Sequence, residues 1–205
     1  MQAGLQETGF RWCTSVDKFI DIISFMGLLD VVDEQGNVIG KDTRHNIHAK
    51  GLLHREIHVW FYTPKGEVIF QLRAKGKDTF PEKLDATVGG HVEIGSGFED
   101  TAIKEMEEET GVVAGKNELK IIKTVRSNHI DPTTGKMNNV IRKVFAYKFV
   151  EGFDILRIEK GKSEGFEVWP IKKLERITPE DEKRFIPSFL NKEHIDMYKS
   201  FLSQK

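Results

Sequence analysis

Short apolar runs that alternate with polar residues predict β-strands along most of the chain. The clearest alternation lies at residues 68–73, where Val68, Phe70 and Leu72 share one face of the strand. Further strands are predicted at residues 57–62, 119–130, 138–150 and 166–171, and a hairpin at residues 28–39. A polar loop at residues 131–137 separates two of these strands, so we expect them to pair in antiparallel fashion.

One segment, residues 99–110, has the 3.6-residue period of a helix. Its apolar stripe consists of Ala102, Ile103 and Met106, and its carboxylate face of Glu105, Glu108 and Glu109. Ser96 followed by Glu99 matches a capping box, and Gly111 is the expected left-handed residue after the helix. The pattern therefore predicts a helix from Glu99 to Thr110 with one face in the core and a second face that carries three carboxylates.

The C-terminal part of the chain is also predicted to be helical. Thr178 followed by Pro179 is a typical helix start, and Pro187 interrupts the pattern. Apolar residues recur on one side of the last segment, namely Phe189, Leu190, Ile195, Tyr198, Phe201 and Leu202. We expect this side to pack on its own domain, with a homodimer interface as the alternative.

Composition indicates one globular domain. The chain has 205 residues, 39% of them hydrophobic, which is enough for one sizeable core. Because a domain-like segment begins at Met26, residues 26–205 are predicted to form this domain and residues 1–25 an extension, either disordered or adventitious. The formal net charge of −1 gives no general attraction to nucleic acid, so no stable nucleic-acid partner is expected.

Two features indicate a cytoplasmic protein. Cys13 is the only cysteine, which excludes an intramolecular disulfide and fits a reducing compartment. The apolar run at residues 19–29 contains Asp21 and is about half as long as a membrane span, so no membrane association is expected.

The carboxylate face of the predicted helix carries the strongest chemical signal. Like charges three and four residues apart repel each other, so this face is either simply solvated or offset by a bound cation. The Gly89–Gly90 pair allows backbone to approach the face, and Mg²⁺ prefers carboxylate oxygens. The pattern indicates a site for a metal ion and a phosphate.

From Gly90 to Val112 the chain resembles the Nudix box, G-x5-E-x7-R-E-U-x-E-E-x-G-U, in which U is a bulky aliphatic residue. The residues that match are Glu105, Met106, Glu108, Glu109 and Gly111, whereas Ser96 replaces the first glutamate and Lys104 replaces the arginine. The resemblance implies an α/β fold of the Nudix type, an α/β/α sandwich with a mixed β-sheet. It implies a hydrolase that cleaves a diphosphate linkage in a small molecule, such as a nucleoside-diphosphate derivative, by water attack on phosphorus. It also implies Mg²⁺ or Mn²⁺ as the cofactor, held by Glu105, Glu108, Glu109 and the carbonyl of Gly89.

Stretches outside the box resemble isopentenyl-diphosphate isomerases and isomerase-like Nudix hydrolases. They are GLLHRE at residues 51–56, TFP at residues 79–81 and LDATVGGH at residues 84–91. Gly89 stands where the isomerases have a catalytic cysteine, and residues 138–140 lack their two metal-binding glutamates. The resemblance favours hydrolysis over isomerisation, with a non-catalytic nucleotide-binding sensor as a third alternative suggested by Ser96 and Lys104.

Other candidate site residues flank the box. The family usually needs a general base outside the box, and Glu164, or else Glu167, is the candidate. The cations assigned to substrate phosphates are Arg55, Arg73, Lys75 and Lys104. For the basic strand end at residues 73–77, simple solvation is the alternative.

Four histidines, His45, His48, His54 and His58, lie close together in the sequence. In a strand, His54 and His58 would be about 13 Å apart and unable to bind one ion together. The histidines either make structural hydrogen bonds at a strand entrance or form a site with His91. His54 and His91 match metal-binding histidines of the isomerases, whose glutamate partners are missing here.

Overall fold

The computed structural model describes residues 27–131 and 134–202. The elements of this part of the chain are, in order, β1 (Leu28–Val32), β2 (Val38–Thr43), α1 (Arg44–Lys50), β3 (His54–Thr63), β4 (Glu67–Arg73), β5 (Leu84–Asp85), β6 (Val88–His91), α2 (Phe98–Thr110), β7 (Leu119–Ile130), β8 (Met137–Lys148), β9 (Ser163–Pro170), α3 (Ile171–Leu174), α4 (Pro179–Glu182) and α5 (Lys192–Leu202). The extension predicted at residues 1–25 lies outside the described residues, and the single domain over residues 26–205 stays a prediction.

Strand β3 is the centre of a mixed seven-stranded sheet. Along one edge it pairs in parallel with β8, with His54 opposite Val140 and Tyr62 opposite Lys148. Along the other edge it pairs in antiparallel fashion with β6 and then with β4. Strand β4 continues the sheet to β5 and β9, and β8 continues it to β7. Strands β1 and β2 form a separate hairpin.

The alternation of side chains along β3 divides the interior into two apolar cores. The core beside α2 contains Ile57, Val59, Phe61, Ile69, Ala102 and Met106. The core beside the C-terminal helices contains Trp60, Tyr62, Val68, Phe70, Phe185, Tyr198 and Phe201. A sheet covered on both faces by helices confirms the predicted α/β/α sandwich.

Both hairpins follow the predicted pairing. β1 and β2 pair across the turn at residues 33–37, and β7 pairs with β8 in antiparallel register.

Helix α1 was not foreseen from the sequence, although its ends carry recognisable signals. The Thr43 hydroxyl accepts a hydrogen bond from the Asn46 N–H at 3.3 Å, and Gly51 ends the helix in the left-handed conformation with φ of 64°.

The predicted capping box of the Nudix-box helix is wrong. Helix α2 begins at Phe98 with Gly97 as its N-cap, and no side chain caps it. The Ser96 N–H instead donates to the Glu93 carbonyl at 3.1 Å, which places Ser96 in the preceding turn. The other end is as expected, because Gly111 has a φ of 74°.

The C-terminal segment packs on its own domain, as predicted. Thr178 accepts a hydrogen bond from the Asp181 N–H, but α4 ends after one turn. Phe189, Tyr198 and Phe201 are buried in the core beside β3 and β4. These three rings are therefore covered by the described part of the chain, as their spacing indicated.

Replacing Tyr198 with alanine should lower the free energy of unfolding by about 3–5 kcal/mol. Its ring is 0% exposed and lies 5.1 Å from the Trp60 ring, and its hydroxyl donates to the Phe189 carbonyl. Urea denaturation measures the loss. Ile39→Ala, at a position 67% exposed, is the control and should change this free energy by less than about 0.5 kcal/mol. Equal losses in both variants would contradict the assigned packing.

Candidate active site

Helix α2 directs two carboxylates into the interior of the protein. Glu105 and Glu109 are four residues apart, so they lie on one face of the helix, and they are 9% and 0% exposed. The side chain of Glu108 is 51% exposed. The neighbouring stripe of Ala102 and Met106 is fully buried against the sheet, and it fixes the helix so that these two glutamates point inward.

Lys162, just before β9, provides the positive charge between these carboxylates. Its ammonium nitrogen lies 2.9 Å from Glu105 Oε2 and 2.5 Å from Glu109 Oε1. A third carboxylate, that of Glu159, approaches the same nitrogen at 3.5 Å. On the other side, the Gln71 amide of β4 donates to Glu109 Oε2 at 2.8 Å. Three carboxylates thus converge on one cation.

Burial and charge both perturb this cluster. Burial raises the pKa of Glu109 to about 7, and the ammonium of Lys162 acts against that rise. Burial acts to lower the pKa of Lys162, but Glu109 and Glu105 outweigh it and hold this pKa above its usual value. The carboxylates therefore strongly favour a positive charge between them.

The carboxylate cluster fits the divalent cation that the box resemblance implies. The position of the Lys162 ammonium demonstrates that a cation is accommodated between Glu105, Glu109 and Glu159. Carboxylate oxygens are the donors that Mg²⁺ and Mn²⁺ prefer. Gly89 precedes Gly90 in β6 and pairs with His58 of β3, and the metal-binding role of its carbonyl stays a prediction.

Gly90 is required for the close approach of β6 to α2. A methyl group at this position would lie 2.5 Å from Glu105 Cδ and 2.7 Å from Glu105 Oε1. Such distances are too short for real contacts, so a larger residue would displace the carboxylate. The glycine at the start of the box therefore keeps space for Glu105.

Three of the four cations predicted to bind substrate have carboxylate partners within the protein. Arg55 pairs with Asp30 at 2.7 Å, Arg73 with Asp85 at 2.6 Å and Lys104 with Glu93 at 2.7 Å. Arg73 also donates to the carbonyls of Thr79 and Phe80, and so it organises the loop after β4. Lys75 is exposed. The sequence alone does not reveal these partners, because they come from distant segments, and the substrate-binding roles stay predictions.

The two candidates for the general base have different surroundings. Glu164 accepts a hydrogen bond from the Lys75 N–H at 3.0 Å. Glu167 forms an ion pair with Arg184 and accepts a hydrogen bond from the Trp169 indole. Glu159, which the sequence reasoning missed, is the loop carboxylate that reaches the cluster, and its Oε2 atom is buried.

Other residues of the cluster were also missed. The position of Gln71 could have been predicted, because Gln71 lies two residues after Ile69 and therefore shares the face of β4 that packs against α2. Lys162 lies in a glycine-containing loop with no pattern of its own. Lys77 lies near enough for its charge to interact with those of Lys162 and Glu109, and within the described residues its ammonium has no ion pair.

Comparisons with known proteins identify the family to which the chain belongs. The family model described as NUDIX domain matches residues 52–189, which is more than half of the chain. Uncharacterised Nudix hydrolases of Yersinia pestis and Streptomyces coelicolor are 40% and 42% identical to it over 84 residues, which are 41% of this chain and 46% of each relative. The chain thus spans about half the length of these curated relatives. It belongs to the Nudix family.

Solved structures support the fold. A protein of Deinococcus radiodurans has a TM-score of 0.55 and 22% identity, with 73% of this chain and 88% of that chain covered. The NUDIX domain of Shewanella oneidensis NrtR, solved as a complex with ADP-ribose, has a TM-score of 0.52 and 14% identity, with 78% and 99% covered. At these identities the likeness concerns the fold alone, and the isomerase-like branch stays a prediction.

Gly90→Ala should destabilise the protein by about 1–3 kcal/mol, because the added methyl group overlaps the Glu105 carboxylate. Chemical denaturation measures this loss. Gly76→Ala is the matched control, since a methyl group there meets no atom within 4 Å and should leave the stability unchanged or slightly higher. A Gly90→Ala protein as stable as the control variant would show that β6 and α2 do not approach as closely as described.

Proposed function

We propose that this protein is a Mg²⁺- or Mn²⁺-dependent hydrolase that cleaves a diphosphate linkage in a small molecule by water attack on phosphorus. The observation that supports this most directly is the convergence of the carboxylates of Glu105, Glu109 and Glu159 on one cation. Membership of the Nudix family, whose matched relatives are named hydrolases, supports the same reaction class.

The metal would be held by Glu105 and Glu109, with Glu108 and the Gly89 carbonyl as further ligands. When bound, such an ion neutralises the diphosphate and lowers the pKa of the attacking water. The side chain of Glu108 is half exposed and lies 3.9 Å from the Lys104 ammonium, so it would have to leave this weak ion pair to reach the cluster. Burial of Glu105 and Glu109 excludes bulk water from the oxygen donors, which strengthens their interaction with a cation.

Protein groups around the cluster supply the remaining functions. Glu159 or Glu164 would accept a proton from the attacking water, and Glu159 is the nearer to the cluster. Lys77 and Arg44 are suited to substrate phosphates, because in the described part of the chain neither side chain has an ion-pair partner. Their positive charges also interact with each other: burial lowers the pKa of Lys77 below its usual value, and the charge of Arg44 adds a smaller effect in the same direction.

A nucleoside-diphosphate derivative is the substrate class that we favour. The fold-level likeness to a domain solved with ADP-ribose makes ADP-ribose a suitable first compound for an assay with Mg²⁺ and Mn²⁺. A non-catalytic sensor is the second candidate, and binding of a nucleotide without turnover would favour it. Isomerisation of isopentenyl diphosphate is disfavoured because Gly89 lacks the thiol that this reaction needs.

The location and the partners remain proposals. No helix in residues 27–131 and 134–202 combines the length and the apolar character needed to cross a membrane. A cytoplasmic location, a small-molecule diphosphate as the partner and the lack of a nucleic-acid partner follow from composition and family. A homodimer remains an alternative.

Glu105→Gln and Glu109→Gln should each lower the hydrolytic rate by about 10²-fold or more, since each removes a charged ligand from the buried cluster. Chromatographic separation of the monophosphate products formed from ADP-ribose, or from another nucleoside-diphosphate derivative that the protein hydrolyses, measures the effect. Glu107→Gln is the matched control, because Glu107 lies on the same helix but is exposed, and it should retain full activity. Full activity in Glu109→Gln would refute the metal-site assignment.

Lys162→Met should make the protein depend on a metal ion for its stability. Without its ammonium, Glu105 and Glu109 are buried charges with no counter-charge, at a cost of about 3–5 kcal/mol. Added Mn²⁺ should therefore raise the melting temperature of Lys162→Met more than that of the wild type. The exposed neighbour Lys160, changed to Met, is the control and should respond to Mn²⁺ like the wild type. A response of Lys162→Met no larger than that of the control would contradict the shared use of this site by Lys162 and the metal ion.

A further inference from the structure

Three imidazole rings from separate elements lie close together. His48 comes from α1, His54 from the start of β3 and His91 from the end of β6. One ring nitrogen from each residue lies within 4.8 Å of those from the other two. The Nε2 atoms of His48 and His91 are 3.2 Å apart, and the His54 and His91 rings stack with centroids 5.2 Å apart. The three donors converge on a common point.

Hydrogen bonds orient two of these rings so that their Nε2 lone pairs point inward. His54 Nδ1 lies 3.0 Å from the Leu52 carbonyl, and His48 Nδ1 lies 3.1 Å from the Met137 carbonyl. Because a carbonyl oxygen only accepts, each Nδ1 carries the proton and each Nε2 is left with a lone pair. A hydrogen bond from the second nitrogen to a backbone carbonyl is the usual support for a metal-binding histidine.

The Nε2 atom of His54 gives independent support for a bound ligand at this point. His54 is 0% exposed, and within the described residues this buried atom has no hydrogen-bond partner. Folded proteins rarely leave a buried polar atom unsatisfied. A bound cation at the meeting point of the three rings would provide the partner.

Glu56 supplies an oxygen donor to the same point. Its Oε1 atom lies 3.5 Å from His91 Nε2 and 3.8 Å from His54 Nε2. Its other oxygen accepts from the Arg142 guanidinium at 2.7 Å, which fixes the carboxylate. The group thus offers three nitrogen donors and one oxygen donor, although residues 138–140 lack the glutamates that the isomerase resemblance would require.

We propose that His48, His54, His91 and Glu56 form a binding site for a transition-metal ion of the Zn²⁺ class, separate from the carboxylate site on α2. Imidazole nitrogens suit Zn²⁺, Co²⁺ and Ni²⁺, whereas Mg²⁺ prefers an all-oxygen set. Zn–N bonds of about 2.0–2.1 Å in a tetrahedron separate two ligand nitrogens by about 3.3–3.4 Å, close to the spacing of His48 and His91. The His91 side chain is 18% exposed, so the ion would be accessible from solvent.

The site can be tested with Co²⁺ as a spectroscopic probe. Untagged full-length protein, stripped with a chelator, should bind one Co²⁺ with the visible absorption of a four-coordinate ion, and excess Mg²⁺ should not displace it. X-ray absorption at the zinc edge of the Zn²⁺-loaded wild type should show mainly nitrogen ligands. An all-oxygen ligand shell, or no binding, would overturn the proposal.

Variants locate the ion and separate this site from the proposed catalytic one. His48→Ala and His54→Ala should each weaken Co²⁺ binding by more than about 10²-fold. Loss of a residue that only supports a metal ligand typically weakens binding by about 10- to 100-fold, so the larger loss would identify a direct ligand. His45→Ala, on the same helix but exposed, is the matched control and should bind like the wild type. Glu109→Gln should also bind Co²⁺ normally, even where it abolishes hydrolysis. Loss of Co²⁺ in Glu109→Gln and its retention in His48→Ala would place the ion on α2 and refute the site. Because His54 is buried, circular dichroism should be used to check that each variant is folded. If His54→Ala does not fold, the His48→Ala variant decides the test, because His48 is only half-buried.

Discussion

The ion pairing of Lys162 with Glu105 and Glu109 is the constraint on which the structure around α2 depends. A carboxylate that is 0% exposed, as Glu109 is, costs several kcal/mol unless its charge is offset. The offset comes from separate parts of the chain, since Lys162 precedes β9 and Gln71 belongs to β4. Gly90 of β6 provides the space for Glu105. The sheet must therefore assemble fully before these charges are stable in the interior.

The two departures from the Nudix box have a local structural explanation. Lys104 retains a positive charge and pairs with Glu93, which lies three residues before Ser96. Both side chains are almost half exposed, so this pair contributes at most about 1 kcal/mol. It nevertheless links the loop before α2 to the helix. Glu93 thus supplies a carboxylate to this loop, in which Ser96 replaces the glutamate of the box. The loop geometry thus tolerates both replacements, whereas the buried glutamates of the box are retained.

Local patterns predicted the parts of this fold that depend on neighbouring residues. The alternation at residues 68–73, the left-handed Gly111 and the buried apolar stripe of α2 all follow from periodicity and backbone preference. The burial of Glu105 and Glu109, with Glu108 left exposed, was not predicted, because the three glutamates were expected to share one face apart from the core. Residues brought together from distant segments were not predictable in this way. Lys162 and Glu159 lie in a loop about 50 residues after α2, and the partners of Arg55 and Arg73 are identified only once the strands are paired. The histidines illustrate the same limit, because the third ring, from α1, lies on an element that the pattern did not indicate.

The charge balance around α2 explains why a divalent ion suits this cluster better than Lys162 alone. Glu105, Glu109 and Glu159 bring three negative charges within 3.5 Å of an ammonium that carries one positive charge. Glu108 is a fourth carboxylate nearby, and burial, together with the charge of Glu105, raises its pKa against the influence of Lys104. An ion with two positive charges in the same space compensates more of this excess, and its coordination shell accepts oxygens from several directions at once. The ammonium, with only three donors, satisfies the cluster in part. The remaining negative charge is the physical reason why the proposed metal ion at this cluster would be divalent.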